Sequence, residues 1–225
     1  FVLSPKRTVP PSFNMEYADL ATALIGTDFV TSTYAYAKKP IRTLHVTTPH
    51  ICAQPSNKDV DAARKNFLWI GGAGMAHKGL DLVLEAFAAM PEFNLTVYGK
   101  KDIDFAKAYK KELEETKNIR YAGHIDMGSK EFMEVAARSL GVISVSASEG
   151  GNSATLDAMH AGVLPIAGYT ASVHTGNFGI LIPQSGVKEI QDAVRTLSSL
   201  PTADLKARSI AAWKYVEDNH TKAVV

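Results

Sequence analysis

The stretch "FLWIGGAGMAHKGLDLVLEAF", Phe67 to Phe87, changes its period half-way. Phe67 to Ile70 is an unbroken apolar run, the pattern of a strand buried on both faces of a sheet. Leu80, Val83, Leu84 and Phe87 then fall at helical spacing, and Pro91 stops the run just after Met90. Glycines and the pair Lys78–Gly79 lie between. Strand, glycine turn and helix in this order are the opening of a βαβ unit, which implies a parallel sheet.

The same rhythm repeats down the chain. Short apolar runs at 67–72, 94–100, 118–125, 141–148, 163–168 and 179–183 read as strands. Amphipathic segments at 78–90, 104–117, 129–141, 152–162, 187–199 and 202–219 read as helices, with Thr202 as the cap of the last. The predicted fold is α/β, a Rossmann-like parallel sheet flanked by helices. Ligands in such sheets bind at the carboxyl ends of the strands, so the loops after each strand are where chemistry is expected. Residues 1–59 show no βα rhythm and read as the tail of another domain plus a connector, with the boundary near Asp59–Asp61 and a second unit over 60–225.

Composition narrows the class of function. The chain has 225 residues, a net charge of +1 and 46% hydrophobic residues, which suits one large domain with a full core. Mixed charge without a basic block argues against a nucleic-acid partner. The single cysteine, Cys52, fits a reducing compartment. No apolar run approaches bilayer length, and no His/Cys cluster has zinc spacing. The chain starts at Phe1 and ends on "NHTKAVV", and it is expected to be a fragment of a longer protein.

Two loops carry candidate chemistry. In the first, Gly72 and Gly74 let backbone approach a ligand, the helix start offers free N–H groups, and Lys78 adds a charge. This suits a phosphate cradle. It is not a P-loop, because Gly79 follows Lys78, and His77 stands where a dinucleotide fingerprint needs its third glycine. A tight turn with a solvated lysine fits the same residues. The second loop is "SASEGGNSATLDAMHAG", Ser146 to Gly162. Asn152 or Ser153 can cap the helix, which leaves the N–H groups of Ser153, Ala154 and Thr155 facing an anion. Glu149 precedes two glycines, and Asp157 follows eight residues later, about one and a half turns into the helix. A solvated Glu149 and a dipole-friendly Asp157 are the plain alternative.

Taken together, "FLWIGGAGMAHKGLDLVLEAF", "NLTVYGK", "NIRYAGHIDM", "SASEGGNSATLDAMHAGVLPI" and "GNFGILIP" resemble the C-terminal, donor-binding domain of GT-B fold glycosyltransferases. The group is the large retaining family 4, "glycosyl transferases group 1". The resemblance covers about residues 60–222, and residues 15–50 look like the end of the acceptor-binding domain. It implies transfer of a sugar from a nucleotide diphosphate sugar to an acceptor hydroxyl with retention. Carried over by position, Lys78 would hold the donor diphosphate with Gly72 and Gly74. Glu149 would meet the sugar hydroxyls as the catalytic carboxylate. Gly150, Gly151 and Asn152 would approach the sugar, and Ser153, Ala154 and Thr155 the phosphates. Asp157 would hold the ribose, and backbone around Gly123, His124 and Ile125 would flank the base.

The same resemblance implies a nucleotide sugar as substrate with no separate cofactor and no metal. It implies a glycan, lipid-linked or small-molecule acceptor, and a cytoplasmic enzyme with any contact to the inner face of the membrane made through the absent domain. Three departures stand out: the family's loop arginine is missing from Gly72-Ala73-Gly74, Asp157 replaces the family's Glu, and the N-terminal glycine loop and histidine that the resemblance implies for the cleft are not in this sequence. The fragment alone is expected to bind donor weakly and not to turn over. His160 and His174 are read as structural, His77 as a neighbour of the phosphate site, and Met90, Met133 and Met159 as core. A nucleotide-sugar epimerase of the same fold, a Rossmann oxidoreductase and a non-catalytic nucleotide-binding module are the competing readings.

Overall fold

The computed structural model describes residues 46–48, 50 and 52–221, with the backbone of 23–25 and 42–44. In chain order the elements are β1 (Ala23–Ile25), β2 (Arg42–Leu44), α1 (Val60–Ala63), β3 (Asn66–Gly71), α2 (Leu80–Ala88), β4 (Asn94–Gly99), α3 (Ile103–Ala108), β5 (Ile119–Gly123) and α4 (Lys130–Ala137). They continue with β6 (Gly141–Ser144), α5 (Ser153–His160), β7 (Leu164–Gly168), β8 (Ile180–Ile182), α6 (Val187–Ser199) and α7 (Thr202–Asn219). Each of the six expected strands is present in the main sheet. Most of the remaining resemblance residues, 15–50, lie outside the described ones.

The six strands form one parallel sheet in the order β5-β4-β3-β6-β7-β8. Counted from β3, this is the doubly wound order 3-2-1-4-5-6. The direction of winding reverses between β3 and β6, so a crevice opens beyond their carboxyl ends. The two loops singled out by sequence are the ones that leave those two strands.

Alternation along each strand loads both faces. Phe67 and Trp69 of β3 join the core that buries α2, α6 and α7, while Leu68 and Ile70 join the opposite core with Phe132 and Ala136 of α4. The glycines ending β3 and β4 have a packing reason: a Cβ on Gly71 would lie 2.4 Å from the Trp69 ring, and one on Gly99 would lie 3.1 Å from it. Trp69 in turn donates from Nε1 to the Lys78 carbonyl at 3.3 Å, so the first loop is seated on the indole.

Several local expectations are corrected. The helix expected over 104–117 breaks after α3 and continues as a π-helical turn, Lys111–Glu115. Thr202 does not cap α7: its hydroxyl donates to Asp61 at 2.8 Å, tying α7 to α1. Asp59 caps α1 by accepting from the Ala62 amide at 3.0 Å. Met90 and Met159 are core, but Met133 is 39% exposed and lies over Cys52. The runs within 1–59 hold β1 and β2, paired in parallel, although no βα rhythm marks them. Among the described residues no helix is long and apolar enough to cross a membrane.

Candidate active site

The first loop is a compact turn. Three backbone bonds close it: Lys78 N–H to Gly74 O, Gly79 N–H to Ala76 O and Leu80 N–H to Met75 O, each 3.0 Å. The amides of Gly72 and Gly74 take no part in these bonds. Gly79 sits at φ 69°, and a Cβ there would lie 2.5 Å from the Val145 carbonyl oxygen. Only glycine allows this approach of the α2 start to the end of β6.

That approach joins the two loops. The Ala147 amide donates to the His77 carbonyl at 2.9 Å, and His77 Nε2 donates to the Ser148 carbonyl at 2.9 Å. Lys78 Nζ donates to Glu149 Oε1 across the crevice. Glu149 is held from the other side as well: its amide donates to the Thr170 carbonyl at 3.0 Å, and the Thr170 hydroxyl donates to the Ser146 carbonyl at 2.6 Å. The Glu149 side chain is only 9% exposed, so it is no solvated loop residue. Its second oxygen, Oε2, is buried and has no partner within the protein. A buried carboxylate oxygen without a donor is costly, and it leaves acceptor capacity unused.

Asn152 caps α5 by accepting from the Thr155 amide at 3.3 Å. The Thr155 N–H is therefore already used, a correction to its place among the anion donors. Ser153 and Ala154, the first residues of α5, have no intrahelical partner for their amides. Gly151 lies at φ 129°, a backbone open to glycine alone. Gly123, at φ 76°, ends β5, with His124 exposed and Ile125 buried in the α4-side core.

Asp157 is the site residue whose surroundings sequence did not reveal. It is 2% exposed, and both oxygens are engaged by the connector: Thr48 donates its hydroxyl to Oδ1, and His50 Nδ1 stands 3.2 Å from Oδ2. Burial raises the Asp157 pKa, and the hydrogen bond and charge of His50 work against that rise. His50 also contacts Gly128 in the loop after β5, where a Cβ would meet its Cδ2 at 2.8 Å. His160 fixes the same connector, with Nδ1 3.1 Å from the His50 carbonyl oxygen and Nε2 2.8 Å from Glu217 Oε2. It is fully buried and structural. His174 stacks on Tyr215 with ring centroids 4.7 Å apart.

Sequence reasoning missed Thr48, His50 and Thr170. None belongs to a motif, and each acts through contacts far along the chain. The structure thus brings Lys78, Glu149 and the start of α5 together at the switch point, with Gly72 and Gly74 on the same rim. It keeps Asp157 beneath the connector.

The sequence profile of the family "Glycosyl transferases group 1" matches residues 64–199, more than half of the chain and both loops of the site. The chain belongs to this family. No curated protein sequence matches it. Solved structures match it in fold. A glycosyltransferase from Rickettsia africae is 15% identical over 97% of this chain and 65% of its own, with a TM-score of 0.72. Sucrose-phosphate synthase from Thermosynechococcus elongatus is 16% identical over 93% and 58%, with a TM-score of 0.69. HepE from Anabaena, solved with UDP and glucose, is 15% identical over 92% and 61%, with a TM-score of 0.68. At such identities the likeness is one of fold, and it places the sheet with the GT-B glycosyltransferases. The chain spans 58% to 65% of the length of these three structures.

Proposed function

We propose that the protein moves a hexose from a nucleotide diphosphate sugar to an acceptor hydroxyl with retention, as a family 4 enzyme, and that this chain is its donor-binding half. The observation that carries the reading is the meeting of Lys78 and Glu149 at the switch point, with Glu149 Oε2 left unpartnered. A cation fixed beside a carboxylate with spare acceptor capacity suits a ligand that offers both phosphate and hydroxyl groups.

In this reading the donor diphosphate draws Lys78 away from Glu149. The Gly72 and Gly74 amides and the Ser153–Ala154 end of α5 share its charge. As the bond from the anomeric carbon to the phosphate oxygen breaks, negative charge grows on the leaving diphosphate, and these groups stabilise it in place. No metal or cofactor is needed for that task. Glu149, freed from Lys78, accepts hydrogen bonds from sugar hydroxyls, with Gly150, Gly151 and Asn152 alongside. Gly123, His124 and Ile125 flank the base. Asp157 receives the ribose hydroxyls once Thr48 and His50 release it.

Residues 1–59 are then the end of the acceptor-binding domain and its connector. The acceptor is a glycan, a lipid-linked sugar or a small molecule, reached from the cytoplasmic side. HepE, solved with UDP and glucose, is a fold relative whose ligands agree with this class of donor. The test is titration of the intact protein with UDP, GDP and ADP. Binding in the micromolar range that Lys78→Ala removes supports the reading. Absence of binding at millimolar concentration overturns it.

A further inference from the structure

The turn after β7 carries a residue that the reading above leaves unused. Ser172 is the one non-glycine residue with positive φ among the described residues, at φ 54° and ψ 41°. Such a backbone is disfavoured for serine and is kept where surroundings impose it, often beside a ligand. Its side chain is buried, with the residue 5% exposed, and its hydroxyl has no partner within the protein. Ser172 lines a small cleft together with Val46, Gly150, Gly151, Leu156, His174 and His220. The turn is locked to the Glu149 loop by the two bonds of Thr170, so Ser172 is fixed relative to the Gly150–Gly151 backbone.

We propose that Ser172 is a specificity residue for the donor sugar and takes the hydroxymethyl arm of a hexose. The inference rests on the donor-binding reading of Glu149 and Gly150–Gly151. The free volume of the cleft is about 10 Å³, room for one water-sized group and not for a pyranose ring. A hydroxyl borne directly on the ring brings the ring against the mouth of such a space, whereas a hydroxyl on an arm does not. The hydroxymethyl group on C5 of a hexopyranose is the arm that projects from the ring and ends in a hydroxyl. Seated there, it supplies the partner that Ser172 lacks, and the ring stays outside, over the glycine backbone. A pentose donor has no such arm and leaves the hydroxyl unpaired.

The experiment uses the full-length protein and the glucose and xylose conjugates of UDP, GDP and ADP, with release of nucleoside diphosphate as the readout. Glucose and xylose differ only in the hydroxymethyl arm. The test variant is Ser172→Gly, which keeps the left-handed backbone without strain and is expected to fold with an equal or higher Tm. Ser172→Ala is the second variant. The expected result is a preference for glucose over xylose in kcat/KM, with the ratio falling about tenfold in both variants, the size of one lost hydrogen bond. A purely structural serine would change both donors alike and leave the ratio intact, and that result overturns the inference alone. Release from no conjugate, with no binding of UDP, GDP or ADP at millimolar concentration, overturns the donor-binding reading together with it.

Discussion

Lys78 and Glu149, separated by 71 residues in sequence, form an ion pair across the point where the sheet reverses its winding. Lys78 is fixed through its backbone, because its carbonyl accepts from Trp69 and its amide donates to Gly74. Glu149 is fixed through its amide on Thr170. Neither residue is therefore free to drift when the pair opens, and a ligand that separates them finds both in place. Glu149→Gln keeps the size and one acceptor but removes the charge. Nucleoside diphosphate affinity is expected to change by less than about threefold in this variant while transfer falls by at least about a hundredfold, the scale of losing one catalytic electrostatic contact. Isothermal titration and single-turnover transfer measure the two quantities separately.

Asp157 makes a second prediction through its connector contacts. Asp157→Ala takes from Thr48 its carboxylate acceptor, leaving only the His50 carbonyl at 3.3 Å, and is expected to destabilise the fold by about 1–3 kcal/mol in urea denaturation. It is also expected to expose the 46–52 connector to limited proteolysis. The ribose role predicts something different: wild type binds UDP more tightly than its 2′-deoxy analogue, and Asp157→Ala binds both alike. Destabilisation without loss of that discrimination would show that Asp157 serves the connector alone.

The glycines of the first loop separate folding from binding. Gly79→Ala places a methyl group 2.5 Å from the Val145 carbonyl oxygen at φ 69°, so a loss of about 2 kcal/mol or more and a lower Tm are expected. A Cβ on Gly72 meets nothing within 4 Å, so Gly72→Ala is expected to hold its Tm within about 1 °C. The same variant should weaken nucleotide binding several-fold if the Gly72 backbone lies against phosphate. A Gly79→Ala protein as stable as wild type would contradict the described packing.

Lys58 predicts a pH effect on stability. Its Nζ donates to the Gly162 carbonyl at 2.9 Å, and burial pushes its pKa from 10.5 down to about 7. Between those values the unfolded chain holds a proton that the folded chain gives up. Stability from this group therefore rises as pH increases from about 7 toward 10.5, and below 7 the folded state carries the full cost of the buried charge. Denaturation of wild type and Lys58→Met at pH 7 and pH 9 isolates the term: the difference between the two proteins should shrink at the higher pH.

Much of this molecule is legible in sequence because its signals are local. An apolar run bounded by glycine, as in "FLWIGG", fixes a buried strand, and the change of period at Leu80 fixes the helix after it. The α5 cap at Asn152 is one of the two candidates that residue types offer at short range, whereas Glu149 stands out only through the family resemblance. What sequence could not supply is the meeting of distant segments. Nothing near Asp157 announces Thr48, 109 residues away, and Thr202 reads as a cap until Asp61 is seen to claim its hydroxyl. Met133 shows the limit of periodicity, since it falls in a helical pattern read as core and is 39% exposed.

The most direct test of the central claim is binding of UDP, GDP and ADP to the intact protein by titration calorimetry, with wild type and Lys78→Ala side by side. One of the three is expected to bind wild type in the micromolar range, and Lys78→Ala to weaken it by about tenfold or more, the scale of a lost charge-assisted contact to phosphate. Wild type that binds none of them at millimolar concentration, or binding that Lys78→Ala leaves unchanged, would contradict it.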